Sequence, residues 1–189
     1  MVSRLQKKDY VYIAFCVVLI SLGIFTNIKY GFNLFKILSY TCLAVGCLIV
    51  ARIDFRDHII PNKILAALLI IRTFLLLCDI VWEIKRNQGV WCFANLVRSL
   101  TGLLIGLVIM LLVYAVSRHA IGMGDVKLSA VIGFFMGTSG WYTALILGSI
   151  LAAGFSIVQL LRKKMKLKDE IPLGPFLAAG VVIAVIIGA

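Results

Sequence analysis

Long apolar runs dominate this chain. They fall at roughly 10–26, 34–51, 63–82, 99–116, 121–137, 141–161 and 172–188, and each approaches the roughly 17–25 residues that a helix needs to cross a bilayer. Polar residues gather in the short connections between them. The pattern predicts an all-α fold, a polytopic membrane helix bundle of about six to seven transmembrane helices. No linker rich in proline, glycine or serine divides the chain, and no apolar pattern repeats in the manner of inverted transporter halves. A single membrane-embedded domain over residues 1–189 is therefore expected.

Composition sharpens this picture. With 62% hydrophobic and 14% charged residues and a mean hydropathy of +1.09, an ordinary soluble domain is excluded. The opening "MVSRLQKK" is basic and an apolar run follows, but no small-residue cleavage site precedes "TNIKYGF", so the first run is expected to stay as a helix. The formal net charge is +11, yet the basic residues flank membrane runs instead of interleaving with aromatics, which argues against nucleic acid as a partner. With the N-terminus in the cytoplasm, inside segments hold most of the 19 basic residues, led by "LRKKMKLKDE". That bias predicts a multi-pass protein of the inner (plasma) membrane in this orientation, with the lipid bilayer as its surroundings. The five cysteines lie in or beside apolar runs without a C-x-x-C pair or a histidine at zinc spacing. They read as small core residues, and no metal site or cofactor is expected.

Only eight acidic residues occur, so their positions carry information. Asp9, Asp169 and Glu170 sit among lysines, and Asp79 and Glu83 fall at the outer end of the third run; all five read as solvated or paired. Asp54 and Asp125 differ, because each lies where an apolar helix meets the cytoplasmic face. In "DFRDHIIPN" (54–62), Pro61 suits the opening turn of a helix and the residue before it is biased away from one. Asp54 therefore belongs to the end of the second run. After "GMGDVK" (122–127), the apolar stretch 128–137 would make only about 15 Å of helix, half of a roughly 30 Å hydrocarbon core. The helix must start near 121, which places Gly122, Gly124 and Asp125 at membrane depth. There a carboxylate is expensive unless paired, hydrated or neutral, and the glycines would admit another backbone, or that of a substrate, beside it. A plain ion pair of Asp125 with Lys127 or Arg118 explains the same residues.

Two such acids on one face have a chemical use. A pair of carboxylates a few Å apart does not ionise twice cheaply, so it holds one proton and can serve as base and acid on one water. That suffices to hydrolyse a peptide bond without a metal or a nucleophilic side chain. No H-E-x-x-H, G-x-S-x-G or phosphate-binding glycine loop competes with it. His58 and His119 adjoin the two acidic motifs and are candidates to tune them.

At these residues the chain resembles the type IV prepilin peptidase family, membrane aspartyl proteases of the GxGD class. The matching stretches, in order, are "DFRDHIIPN" at 54–62, "GMGDVKL" at 122–128 and "IPLGPFLAAG" at 171–180, and the resemblance covers roughly residues 45–189. It implies Asp54 and Asp125 as the catalytic pair, with Asp57 the runner-up for the first role. Lys127 matches a lysine after the second acid, to hold the acid or a substrate carbonyl, unless it is only a snorkelling anchor. Pro61, Asn62, Gly122, Gly124, Pro172, Gly174 and Pro175 are implied as supporting or substrate-binding positions. "IPLGP" would prevent a regular first turn and free backbone groups for an extended substrate, unless it is a plain helix start with Pro172 near the first position. The implied activity is removal of the basic leader from a prepilin or pseudopilin-like protein substrate at the cytoplasmic face. The larger members carry a cysteine-rich domain between the first two spans, where this chain has only "TNIKYGFN", so cleavage without N-methyl transfer is expected. The rival is a small proton-coupled membrane transporter using the same acids, and a third possibility is a non-catalytic assembly subunit.

Overall fold

A computed structural model describes residues 7–86, 89–117, 121–162 and 173–188, with backbone alone for 7–11 and 89–92. Six helical elements occupy them: α1 (Lys7–Lys29), α2 (Leu34–Asp57), α3 (Asn62–Lys85), α4 (Gly89–Val116), α5 (Met123–Leu161) and α6 (Gly174–Ile187). No strand occurs among the described residues. Breaks fall where backbone chemistry requires them. Gly31, at φ 70, ends the turn after α1. His58, at φ 52, closes α2 by donating its N–H to the Asp54 carbonyl, and Pro61 then caps α3 from an extended conformation.

The runs expected as separate spans at 121–137 and 141–161 form one hydrogen-bonded element, but it is not straight. Gly137 stands at φ 73, ψ −176 in its middle, a backbone state that only glycine adopts freely. The Trp141 Nε1 donates to Ser129 Oγ at 2.7 Å. Twelve residues of straight helix would hold those Cα atoms about 18 Å apart, beyond the reach of the two side chains. The chain therefore folds back at Gly137 into two arms, 123–136 and 138–161. Contacts along α4 agree, since Gly102 faces both Gly133 and Gly137 while Gly106 faces both Ser129 and Trp141. Counting arms, the described residues form seven rods. Elements α1 to α5 are each long and apolar enough to cross a membrane, and the protein is an all-α, multi-pass membrane bundle.

Ending the first arm inside the bundle leaves its last carbonyls without helical partners. Two arginines supply them: Arg72 Nε donates to the Phe134 carbonyl at 3.2 Å and Arg98 Nη2 to the Met136 carbonyl at 3.2 Å. A guanidinium also suits the negative end of a helix dipole. Arg72 goes on to bind Ser39 Oγ of α2 at 3.0 Å and Ser99 Oγ of α4 at 2.9 Å, so one side chain joins four elements. Asp79 and Glu83, read from the sequence as solvated or paired, are buried in this region. Glu83 accepts from Asn95 at 2.9 Å, and Asp79 has Arg72 and Lys36 as charge neighbours. Burial follows because they point into the same interior that receives Arg72.

From Asp125 to Gly137 every residue except Lys127 is buried, which makes the short arm the centre of the bundle. Around it pack Leu43, Cys47 and Val50 of α2 and Leu177, Val181 and Ala184 of α6. Small residues permit the close approach that membrane helices use: the backbones of Gly102 and Gly133 touch, as do Gly180 and Ala144. Large apolar side chains such as Phe15, Ile70, Phe74 and Ile150 point outward, as they must when the surrounding solvent is lipid.

Candidate active site

Asp54 reaches the site from the last turn of α2, and Asp125 from the first turn of α5. Both are buried, at 6% and 8% exposure, and Asp54 is a charge neighbour of Asp125. The fold thus brings together two acids that lie 71 positions apart in the chain. Asp57 faces outward and pairs with Arg56 at 3.9 Å in solvent-exposed positions, away from this pair.

Each acid is held by backbone. The N–H of Gly174, in the first turn of α6, points to the Asp54 carboxylate, and a Cβ at that position would come within 2.5 Å of Oδ2. Gly122 caps α5; its carbonyl accepts the Asp125 N–H at 3.0 Å and its backbone hydrogen-bonds the Asp125 carboxylate. An acid in the first turn also complements the positive end of the helix dipole. Asp54 Oδ2 and Asp125 Oδ1 take no well-aligned hydrogen bond among the described residues. Among the described residues each acid thus keeps one buried oxygen without an aligned donor, a position at which a water or a carbonyl could be received.

The remaining predicted positions divide. Gly124 leaves room for the Ile60 side chain, since a Cβ there would sit 2.8 Å from the Cβ of Ile60. Lys127 donates to Asn62 Oδ1 at 3.1 Å; it ties α5 to the start of α3 and does not form the ion pair with Asp125 that the sequence allowed. Pro61 sets up that start. At α6 a regular first turn does form, with the amides of Phe176 and Leu177 both bonded to the Leu173 carbonyl at 3.1 and 3.0 Å. Of the two openings read for "IPLGP", the described part from Leu173 onward has the plain helix start, with Pro175 in its first turn where a missing N–H does no harm. Pro172, Arg118 and His119 lie outside the described residues. His58 is a charge neighbour of Asp54 in the left-handed conformation noted above.

Sequence reasoning missed Ile60, which covers Gly124, and Arg72, which fixes the far end of the arm bearing Asp125. The signal for Arg72 was present: a lone arginine in the middle of an apolar run has to find acceptors inside the bundle.

Fold and site together define a multi-pass helical membrane protein with two buried carboxylates, contributed by different helices, at one end of the bundle. The chain belongs to the type IV leader peptidase family, whose pattern it matches over residues 41–157, more than half its length and including both acids. It is 27% identical over 164 residues to a prepilin leader peptidase/N-methyltransferase of Bacillus subtilis (strain 168), covering 86% of this chain and 60% of that protein. It is 26% identical over 146 residues to proteins of the same name in Burkholderia pseudomallei strains 1026b and K96243, covering 73% of this chain and 42% of each. The chain thus spans about half the length of the curated relatives it matches. No solved structure matches it.

Proposed function

We propose that this chain is an intramembrane aspartyl endopeptidase that removes the basic leader from prepilin-like proteins at the cytoplasmic face of the inner (plasma) membrane. The observation that carries the reading is the buried pair Asp54 and Asp125, each with one oxygen that takes no aligned hydrogen bond among the described residues. Family membership supports the same chemistry. In the mechanism, one carboxylate takes a proton from the attacking water while the other, protonated, hydrogen-bonds the scissile carbonyl. As the tetrahedral intermediate collapses, the acid that gained the proton returns it to the leaving amine. The substrate's helix must unwind at the cut, because a helical carbonyl is already hydrogen-bonded. Lys127 and Asn62 hold the start of α3 beside Asp125, and Gly174 leaves Asp54 approachable from α6. Both acids lie at helix ends and not mid-span, which favours surface cleavage over proton-coupled transport.

The test is cleavage of co-expressed prepilin-like proteins by wild type and by Asp54→Asn, Asp57→Asn and Asp125→Asn, read by gel shift and by mass spectrometry of the new N-terminus. Loss in Asp54→Asn and Asp125→Asn with retention in Asp57→Asn is expected, and the product's N-terminus is expected to be unmethylated. Cleavage by both asparagine variants, or none by wild type across several leaders, would overturn the proposal.

A further inference from the structure

The end of the bundle opposite Asp54 holds buried charges that the proposed chemistry does not use. Where α5 folds back at Gly137, a cavity of about 50 Å³ is lined by Lys36 and Tyr40 of α2, Arg72 and Asp79 of α3, and Arg98 and Ser99 of α4. Asp79 is buried, at 9% exposure, and its Oδ1 takes no aligned hydrogen bond among the described residues. Arg72 and Lys36 are its charge neighbours, yet neither forms a direct ion pair with it among those residues. Arg72 already binds the Phe134 carbonyl and two serine hydroxyls. Arg98 binds the Met136 carbonyl through Nη2 alone, which leaves other donors of its guanidinium unspent. The Lys36 ammonium lies 3.6 Å from the centre of the Phe32 ring, which engages one side of a group carrying three donors. Spare donors and a bare acceptor thus face one small polar space.

We propose that this cavity is a built water site, in which a cluster of ordered waters bridges Asp79 to Lys36 and Arg98 and completes the clamp on the far end of the arm that carries Asp125. A buried water takes about 10–15 Å³ of such space and two to four polar partners, so about three to five fit. The walls select a neutral ligand that both donates and accepts. A cation would meet three basic side chains, and an apolar ligand would strand a carboxylate oxygen in the interior. An anion would sit against the bare oxygen of Asp79, with Glu83 one turn along the same face as a second acid beside it. Lys29, Lys85 and Arg86, at this end of the bundle, are exposed. Between Arg86 and Phe93 the chain reads "NQGVWC", without charge. The acids whose side chains are not described lead off from the opposite end: Asp9 in the first turn of α1, close before Tyr12, which lies against Arg52, and Asp169 and Glu170 shortly before Gly174, which lies against Asp54. Bridging waters join the acid of α3 to the arginine of α4 that holds the Met136 carbonyl, so the reversal at Gly137 rests on a hydrated network and not on the two direct arginine bonds alone.

The test is radiolytic hydroxyl-radical footprinting of the purified full-length chain in detergent, read by mass spectrometry, with circular dichroism to verify folding; it does not depend on the chain being a protease. Radicals formed from a bound water oxidise the side chains that touch it, even where bulk solvent does not reach. Tyr40 and Phe135 line the cavity at 1% and 3% exposure. Trp141 is fully buried elsewhere and, as an indole, is no less reactive toward the radical. Tyr40 and Phe135 are expected to be oxidised faster than Trp141. Asp79→Leu, which removes the acceptor and fills the space, should lose that labelling, whereas Asp79→Asn, which still accepts, should keep most of it. Protection of Tyr40 and Phe135 equal to that of Trp141 overturns the proposal, and this wild-type result decides even where Asp79→Leu does not fold. Labelling unchanged in folded Asp79→Leu overturns it as well. Thermal unfolding in sodium chloride and in sodium gluconate at equal ionic strength separates water from an anion. No difference is expected; a rise in unfolding temperature in chloride that Lys36→Met abolishes would make the cavity an anion site and overturn the proposal.

Discussion

Gly174→Ala tests the site through a single methyl group. A Cβ built at Gly174 falls 2.5 Å from Oδ2 of Asp54, whereas ordinary contact begins near 3.4 Å. The carboxylate or the start of α6 must therefore retreat by about 0.9 Å, the difference between those two distances. A displacement of about 1 Å at a reacting group can lower a rate about 10²-fold. Stability should move little, because Gly174 is the first residue of α6, where the helix-interior cost of glycine does not apply and the atom displaced is the end of a side chain. The assay is the initial rate of prepilin-like substrate cleavage in membranes, set beside thermal unfolding of the detergent-purified protein. The expected outcome is a rate near one hundredth of wild type with a nearly unchanged unfolding temperature. Cleavage at the wild-type rate would refute the reasoning, since Asp54 would then not need the place in which Gly174 leaves it. A large fall in unfolding temperature would refute it differently, by showing that the methyl group disrupts packing and not only the acid.

Arg72→Leu leaves the Phe134 carbonyl without its donor and takes a neighbouring cation from Asp79; a loss of about 3–5 kcal/mol is expected from stranding such buried groups, measured by thermal or denaturant unfolding in detergent. Arg72→Lys should recover little of it, because a compact ammonium does not span acceptors on three helices as a guanidinium does. Trp141→Phe removes the hydrogen bond to Ser129 that holds the two arms of α5 together, and the same unfolding assay should register about 1 kcal/mol. Lys127→Met and Asn62→Ala each delete the 3.1 Å bond between α5 and α3; in cleavage assays the double variant should be no worse than either single one, as expected of directly coupled partners.

Much of this protein is legible along the chain because a bilayer makes local sequence decisive. Backbone groups cannot stay unpaired in hydrocarbon, so each long apolar run had to become a helix, and the seven runs correspond to the seven rods that the described residues form. Scarcity of charge made Asp54 and Asp125 conspicuous for the same reason: an acid at membrane depth is too expensive to be incidental. Glycine and proline marked the helix limits through steric rules that act within a few residues. What the chain did not carry was adjacency. That the last turn of α2, the first turn of α5 and the opening of α6 converge on one place depends on which helices pack together, and no local rule contains that. The turn at Gly137 illustrates the division. Glycine permits the positive φ, but the reversal stands because Arg72 and Arg98, distant in sequence, arrive to bind the carbonyls it exposes. Of the two readings of Asp79 and Glu83, solvated or paired, the sequence could not choose on the same account, since burial belongs to the assembled bundle and not to a residue's position at the end of a run. The sequence by itself determined the helices and the chemistry available to them; tertiary packing decided which acids meet, because contact between remote segments is settled by the complementarity of whole helix faces.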